Sequence, residues 1–330
     1  MYETPFHKED LSKYNFLIAG GGGFIGSNLV AYLLQHGAKK VKVLDNFANS
    51  DRGNSEEFFK HDNYELIQGD ITHYEDCLKA TEGIDFVSHQ AALGSVPRSL
   101  KMPRATNEAN VSGFVNMCTA ARENGVKRMV YASSSSVYGD SQKMPKIEAE
   151  IGKPLSPYAV SKLTNELYGK VFFDNYGQEL IGLRYFNVFG PRQSPKGAYA
   201  AVIPLFIQAL KKEQSPFING DGKQTRDFTF VENAVQANIK ALFTEKNEAL
   251  GEVFNVAVGE RFSLVELFDF LNEIIGVDVA AVHREERAGD IRDSLANIDK
   301  GRELLGYDPQ VRFKEGLEKT VEWFKSHDFK

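Results

Sequence analysis

The stretch Asn15-Phe-Leu-Ile-Ala-Gly20-Gly-Gly-Gly23-Phe-Ile-Gly26-Ser27 decides the reading of this chain. A short apolar run enters a cluster of glycines, and apolar residues at helical spacing leave it. Residues without Cβ at Gly20, Gly23 and Gly26 permit a tight turn, so that backbone amides and a helix N-terminus can approach a pyrophosphate. Phe24 and Ile25 open the buried face of that helix. About 20 residues on, the next strand ends in Asp45, the place of an acid that accepts a ribose 2′-hydroxyl. A carboxylate there repels a 2′-phosphate, so the pattern predicts NAD rather than NADP.

The rhythm continues outward from this unit. Strand-like runs fall at Asn15–Ala19, Val41–Asp45, Tyr64–Gln68, Asp85–His89 and Arg128–Ser133, with helical stretches at Phe24–Gln35, Tyr74–Ala80 and Arg104–Asn124 between them. Leu180–Phe186 and Val253–Ala257 continue the strand pattern. Alternation of this kind predicts an α/β fold, a doubly wound parallel sheet of the Rossmann type, with right-handed crossovers. From about Gly190 prolines, glycines, Phe and Arg become frequent, which predicts a smaller substrate-binding region over the carboxyl ends of the strands. The expected division is 1–190 for the nucleotide-binding domain, with 229–260 returning to it, and 191–330 mainly for substrate. Asp70 and Ile71 follow the third strand, and Gln90, Ala91 and Ala92 follow the fourth, where adenine and ribose belong.

Bulk properties exclude several classes. A formal net charge of −6 argues against nucleic-acid binding, which needs a basic face. Residues 1–14 lack the apolar core of a signal peptide, and no run of 18 apolar residues exists to span a membrane. The two cysteines, Cys77 and Cys118, have no partner at metal or redox spacing. The seven histidines are scattered without HxxxH pairing. A cytoplasmic protein without a metal site is the expectation.

Tyr158 and Lys162 stand at i and i+4 on one helix face, after Ser156-Pro157, a helix start with proline in its first turn. A lysine beside a phenol favours the phenolate and predicts a lowered tyrosine pKa, suited to accepting a proton. The spacing alone is at chance level. The hydroxyl-rich strand end Ser133-Ser-Ser-Ser136-Val-Tyr-Gly139, some twenty residues earlier, adds context to it.

The ordered set of glycine loop, Asp45, Asp70-Ile71, Ala91-Ala92, Ser133–Gly139, Tyr158…Lys162 and Arg184-Tyr-Phe-Asn187-Val-Phe-Gly-Pro191 resembles the extended short-chain dehydrogenase/reductase family over nearly the whole chain. Within it, Ala92-Leu-Gly-Ser-Val-Pro-Arg98, Gly197-Ala-Tyr-Ala-Ala-Val-Ile-Pro204 and Ile218-Asn-Gly-Asp-Gly222 are similar to UDP-sugar 4-epimerases. The likeness is particularly to the bacterial UDP-N-acetylglucosamine 4-epimerases of polysaccharide pathways. The resemblance implies transient oxidation at C4 by tightly bound NAD, with Tyr158 as the proton acceptor, Ser134 bonded to the 4-oxygen and Lys162 on the nicotinamide ribose. It implies cofactor contacts from Asn46, Asn110, Ser133, Tyr185 and Val188. It also implies UDP-sugar contacts from Gly94, Ser95, Ser135, Ser136, Asn187, Ala201, Val202, Asn219, Arg226, Arg287 and Asp290.

Two departures narrow the chemistry. Related 4,6-dehydratases carry an Asp-Glu pair where this chain has Ser135 and Ser136, and decarboxylating relatives keep the Glu. Ser294 stands where epimerases restricted to non-acetylated sugars carry a bulky Tyr, so N-acetylated substrates are expected. A uronic-acid 4-epimerase is the alternative, because Ser133–Gly139 also resembles the glucuronate enzymes; an NAD-sensing regulator is the non-enzymatic one. The helices over 104–124 and 158–175 resemble a pair that forms a two-fold dimer contact in this family, so a homodimer is expected. Lys101, Arg98 and Arg104 read as a solvated loop, and Arg192, Arg261 and Arg292 as surface ion-pair partners.

Overall fold

The computed structural model describes residues 1–50, 52–196, 200–285 and 292–327. Its elements in chain order are β1 (Asn15–Ala19), α1 (Phe24–Gln35), β2 (Lys40–Asp45), β3 (Tyr64–Gln68), α2 (Tyr74–Thr81), β4 (Phe86–His89), α3 (Gly113–Glu123), β5 (Arg128–Ser134), α4 (Pro157–Tyr176), β6 (Glu179–Tyr185), α5 (Val202–Leu210), α6 (Val231–Phe243), β7 (Val253–Val256), α7 (Leu264–Ile275) and α8 (Phe313–Ser326). Seven strands form one sheet in the order β7-β6-β5-β4-β1-β2-β3, every pair parallel. Parallel strands are covered on both faces and must be apolar along their length. Phe16, Leu17, Ile18 and Ala19 are accordingly all fully buried. Sheet order reverses between β1 and β4, the switch point at which ligands bind outside the carboxyl ends.

Two cores flank this sheet. One holds Val30, Leu33, Val130, Ile181 and Ile239 under α1 and α6; the other holds Ile71, Phe114, Met117 and Met129 under α2 and α3, and includes both free cysteines. A third core joins Phe206, Leu210, Leu267, Leu271, Leu317 and Val321 of α5, α7 and α8 around stacked rings of Phe228, Phe262 and Phe313. The C-terminal segments are stitched by two- and three-residue pairings: 188–189 with 229–230, 225–226 with 262–263, and 217–219 with 282–284. Among the described residues no helix is long and apolar enough to cross a membrane.

The helix expected over Arg104–Asn124 is present as a continuous helical run from Pro103 to Glu123, with a change of pitch inside it. Pro103–Asn107 is α-helical, Glu108–Ser112 makes one π-helical turn, and α3 begins only at Gly113. The π turn carries the buried Asn110, whose Oδ1 accepts from the Leu93 amide at 2.7 Å and whose Nδ2 donates to Ser161 Oγ at 3.0 Å. A Cβ on Gly113 would meet Ile71 at 2.7 Å, so the following turn can sit close to the β3 loop only without one.

Candidate active site

The glycine turn is set by close approach. Gly20 has φ +81°, and a Cβ there would lie 2.6 Å from the Ala91 nitrogen; a Cβ on Gly26 would lie 2.1 Å from the Gly20 carbonyl oxygen. Gly23 begins α1 with no side chain capping it, so the helix N-terminus is open to an anion. Asp45 at the end of β2 accepts from the Gly22 amide at 2.9 Å, the Phe47 amide at 2.7 Å and Ser50 Oγ at 2.9 Å. A carboxylate offers about four acceptor sites. Its remaining capacity suits one further hydroxyl. Asn46 Nδ2 donates to Asp70 Oδ2 at 2.7 Å, which joins the two strand ends.

These groups line one cavity of about 930 Å³. Its wall brings together Gly20, Gly23, Phe24, Ile25, Gly26, Asp45, Asn46, Asp70, Ile71, Gln90, Ala91 and Ala92 with Gly94, Ser95, Ser133, Ser134, Tyr158, Lys162, Tyr185, Asn187, Val188 and Ala201. An open helix end, a loop that excludes Cβ atoms, an acid at the β2 terminus and a cleft of this size fit a dinucleotide. Asn110, Ser135, Ser136, Val202, Asn219, Arg226 and Ser294 do not lie on this wall. Asn110 stands behind it on Leu93. Asn219 Oδ1 accepts from Arg284 Nε at 2.7 Å, and Arg226 Nη1 donates to the carbonyls of Thr225 and Arg292. Arg287 and Asp290 fall outside the described residues.

At the other end of the cavity, Ser134 closes β5 and its Oγ accepts from the Ser136 amide at 3.1 Å. Ser156 Oγ caps α4 by accepting from the Ala159 amide, and one turn brings Tyr158 and Lys162 to the same face. Burial pushes the Tyr158 phenol above its ordinary 10, and a hydrogen bond with Ser134 offsets this in part. The expected lowering by Lys162 is therefore absent here: Lys162 Nζ donates to the Ala132 carbonyl at 2.8 Å. Burial pushes Lys162 down to about 8, with Glu166 pulling it back up.

Several residues of this region escaped the sequence reading. Glu166 receives a two-pronged contact from Arg184, Nε to Oε1 at 2.8 Å and Nη2 to Oε2 at 2.7 Å, and also accepts from Ser133 Oγ. Tyr185 is held by Gln90 at 3.1 Å and Asn238 at 2.7 Å. Asp227 accepts from the amides of Val258, Gly259 and Ala296, and its carbonyl accepts from Asn187 Nδ2. Burial pushes Asp227 up to about 7 despite these amides. Arg98, read as part of a solvated loop, lies on the cavity wall and pairs with Asn49. Arg192 is engaged by Glu57 and Asn54.

The sequence profile of the NAD dependent epimerase/dehydratase family matches residues 16–257. The chain belongs to this family. It is thus a member of an NAD-using enzyme group, with the Rossmann-type sheet that the group shares. It is 36% identical to a putative UDP-glucose 4-epimerase of Methanocaldococcus jannaschii over 94% of this chain and 99% of that one. In structure it is similar to a UDP-N-acetylglucosamine 4-epimerase of Methanobrevibacter ruminantium in complex with UDP-N-acetylmuramic acid, with TM-score 0.89 and 38% identity over 95% and 98% of the two chains. It is also similar to a UDP-glucuronic acid 4-epimerase of Bacillus cereus bound to UDP-glucuronic acid and NAD, with TM-score 0.87 and 31% identity over 94% and 99%. This epimerase/dehydratase family member shares its fold with both solved structures over nearly its whole length.

Proposed function

We propose that this chain is a UDP-sugar 4-epimerase that interconverts UDP-N-acetylglucosamine and UDP-N-acetylgalactosamine with retained NAD. The observation that carries the reading is the convergence of Ser134, Tyr158 and Lys162 at one end of the cavity whose other end is the glycine loop. When bound, NAD supplies the hydride acceptor and donor and, oxidised, a positive ring charge that lowers the phenol pKa. Tyr158 Oη takes the proton of the sugar 4-hydroxyl and returns it to the 4-oxygen of the epimer. Ser134 Oγ holds that oxygen, and Lys162 Nζ holds the nicotinamide ribose beside the phenol. With serines at 135 and 136 the two places that carry the dehydratases' Asp-Glu pair hold no carboxyl, which supports epimerisation over dehydration.

The N-acetyl preference rests on Ser294, whose backbone amide donates to the Thr225 carbonyl at 3.1 Å and whose side chain is small. Asn187, Ala201, Val202, Asn219, Arg226, Arg287 and Asp290 complete the proposed UDP-sugar contacts. In the same reading, 1–190 with 229–260 hold NAD and 191–330 mainly hold substrate. A cytoplasmic setting belongs with it, and the two buried free thiols suit a reducing compartment. The purified protein is expected to convert UDP-N-acetylglucosamine to its C4 epimer without added cofactor, followed by chromatography of the nucleotide sugars. A clear preference for UDP-glucose would overturn the N-acetyl assignment. Turnover of UDP-glucuronate above both would favour the uronic-acid reading, which the Bacillus cereus relative supports.

A homodimer through α4 is part of the proposal. Val160, Leu167 and Val171 form an exposed apolar stripe at helical spacing, Leu167 being 61% exposed, with Leu100 and Met102 also exposed nearby in sequence to the wall residue Arg98. Leu167→Glu is expected to convert a dimer to a monomer in sedimentation velocity while its far-ultraviolet spectrum stays unchanged. A wild-type monomer, or a variant that stays dimeric, removes this face as the contact.

A further inference from the structure

Glu166, on α4, joins that helix to the ends of β5 and β6 beside the reactive end of the cavity. Ser133, which donates to it, precedes Ser134; Arg184, which grips it from β6, precedes Tyr185; and Lys162 stands one turn before it on α4. Ser133 and Arg184 are register partners across β5 and β6, so a single side chain clamps two strand ends and the catalytic helix. Arg184 is fixed in turn, with Nη1 donating to the Glu148 carbonyl at 3.0 Å and the guanidinium over the Tyr138 ring. We infer that Glu166 is a positioning residue for the reaction, holding Lys162 as an ammonium and keeping Ser134, Tyr158 and Tyr185 in register.

The charges make this a specific role. Lys162 is 2% exposed and Glu166 is 8% exposed. The groups facing them are Tyr158 and Arg184, with His89 on β4 and Tyr131 on β5. Burial, aided by the Lys162 charge, pushes His89 down to about 3, and burial, aided by Glu166, pushes Tyr131 well above its ordinary value. Glu166 is thus the anion that favours the charged amine against burial, while its own charge is shared with Arg184. An opposite charge at close range raises an amine pKa by about one unit or more. An ammonium is lost as pH rises through its pKa, so removing the anion moves that loss to lower pH.

The inference rests on the epimerase reading, and Glu166→Gln tests it. The amide keeps an acceptor for Arg184 and Ser133 but carries no charge. The pH at which the purified protein releases its NAD, read by absorbance after desalting, is expected to fall by about one unit, and the alkaline limb of kcat to fall with it. Burying Arg184 without its partner is costly, so Glu166→Gln/Arg184→Gln, neutral at both places, is measured as well. There the downward move is expected to be smaller, because the Arg184 cation leaves together with the anion it pairs. A folded variant whose two limbs stay at the wild-type pH overturns the inference, even if activity drops uniformly, because loss of packing alone does not move a limb. Failure of the wild type to epimerise any UDP-sugar would instead overturn the functional reading, and the NAD-release limb would still decide the role of Glu166.

Discussion

Tyr158→Phe is expected to lower kcat for epimerisation by about 10³- to 10⁴-fold while the protein still purifies with NAD. The phenyl ring fills the same space on α4, so only the hydroxyl and its bond with Ser134 are lost. A positioned proton acceptor contributes about 10²–10⁴ in rate. The upper part of that range applies because among the described residues the cavity wall offers no histidine, and its carboxylates are Asp45, Asp70 and Glu108. Asp45 and Asp70 are occupied by loop amides and hydroxyls near the glycine turn. Ser134 still caps the Ser136 amide, so the thermal midpoint should move by no more than a few degrees. Retention of more than about a tenth of the activity would assign the proton transfer to another group.

What the sequence revealed follows from how locally each feature is encoded. Central strands buried on both faces are apolar throughout and read directly, as does the late Val253–Val256 that pairs with β6, whereas β2 and the edge strand β3 are only partly buried and read from their place in the strand–helix rhythm. The glycine turn read as clearly, because its close contacts forbid side chains. The π turn at Glu108–Ser112 left no such trace: its residues are those of an ordinary helix, and the bonds of Asn110 to Leu93 and Ser161 that accompany it are long-range. Glu166 and Asp227 were equally silent. The partners of Asp227 are amides at 258, 259 and 296, any of which another residue would supply as well. The Arg184 fork depends on the β5–β6 register, which no local pattern encodes. The lowered Tyr158 pKa was inferred from spacing, whereas the value depends on burial and on the direction in which the Lys162 side chain turns.

Gly26→Ala is expected to yield protein with less than about a tenth of the wild-type NAD content, by the following geometry. The added Cβ would sit 2.1 Å from the Gly20 oxygen and 2.8 Å from both the Gly20 carbonyl carbon and Gly21 Cα, where 3.0 Å is the practical minimum. All three atoms are backbone, so the loop itself must move by about an ångström. It has nowhere to go: the Gly20 amide donates to the Leu44 carbonyl at 2.8 Å, and Gly20 already abuts Ala91. Gly21 is backed by Val43, whose methyl would be 2.5 Å from a Cβ there. Alanine in a helix interior gains about 1 kcal/mol over glycine, which a forced loop displacement outweighs, since strain of this kind costs on the order of 1–3 kcal/mol and also moves every amide that faces the diphosphate. Gly23→Ala is the matched control. Its Cβ meets only the Gly20 oxygen, at 3.2 Å, so a shift of a few tenths of an ångström accommodates it. Measured side by side, Gly26→Ala should lose thermal midpoint as well as NAD, whereas Gly23→Ala should keep its midpoint, so that any NAD it loses reports the added methyl facing the cofactor and not a displaced loop. Wild-type NAD content in Gly26→Ala would mean that the cofactor diphosphate does not rest on this turn.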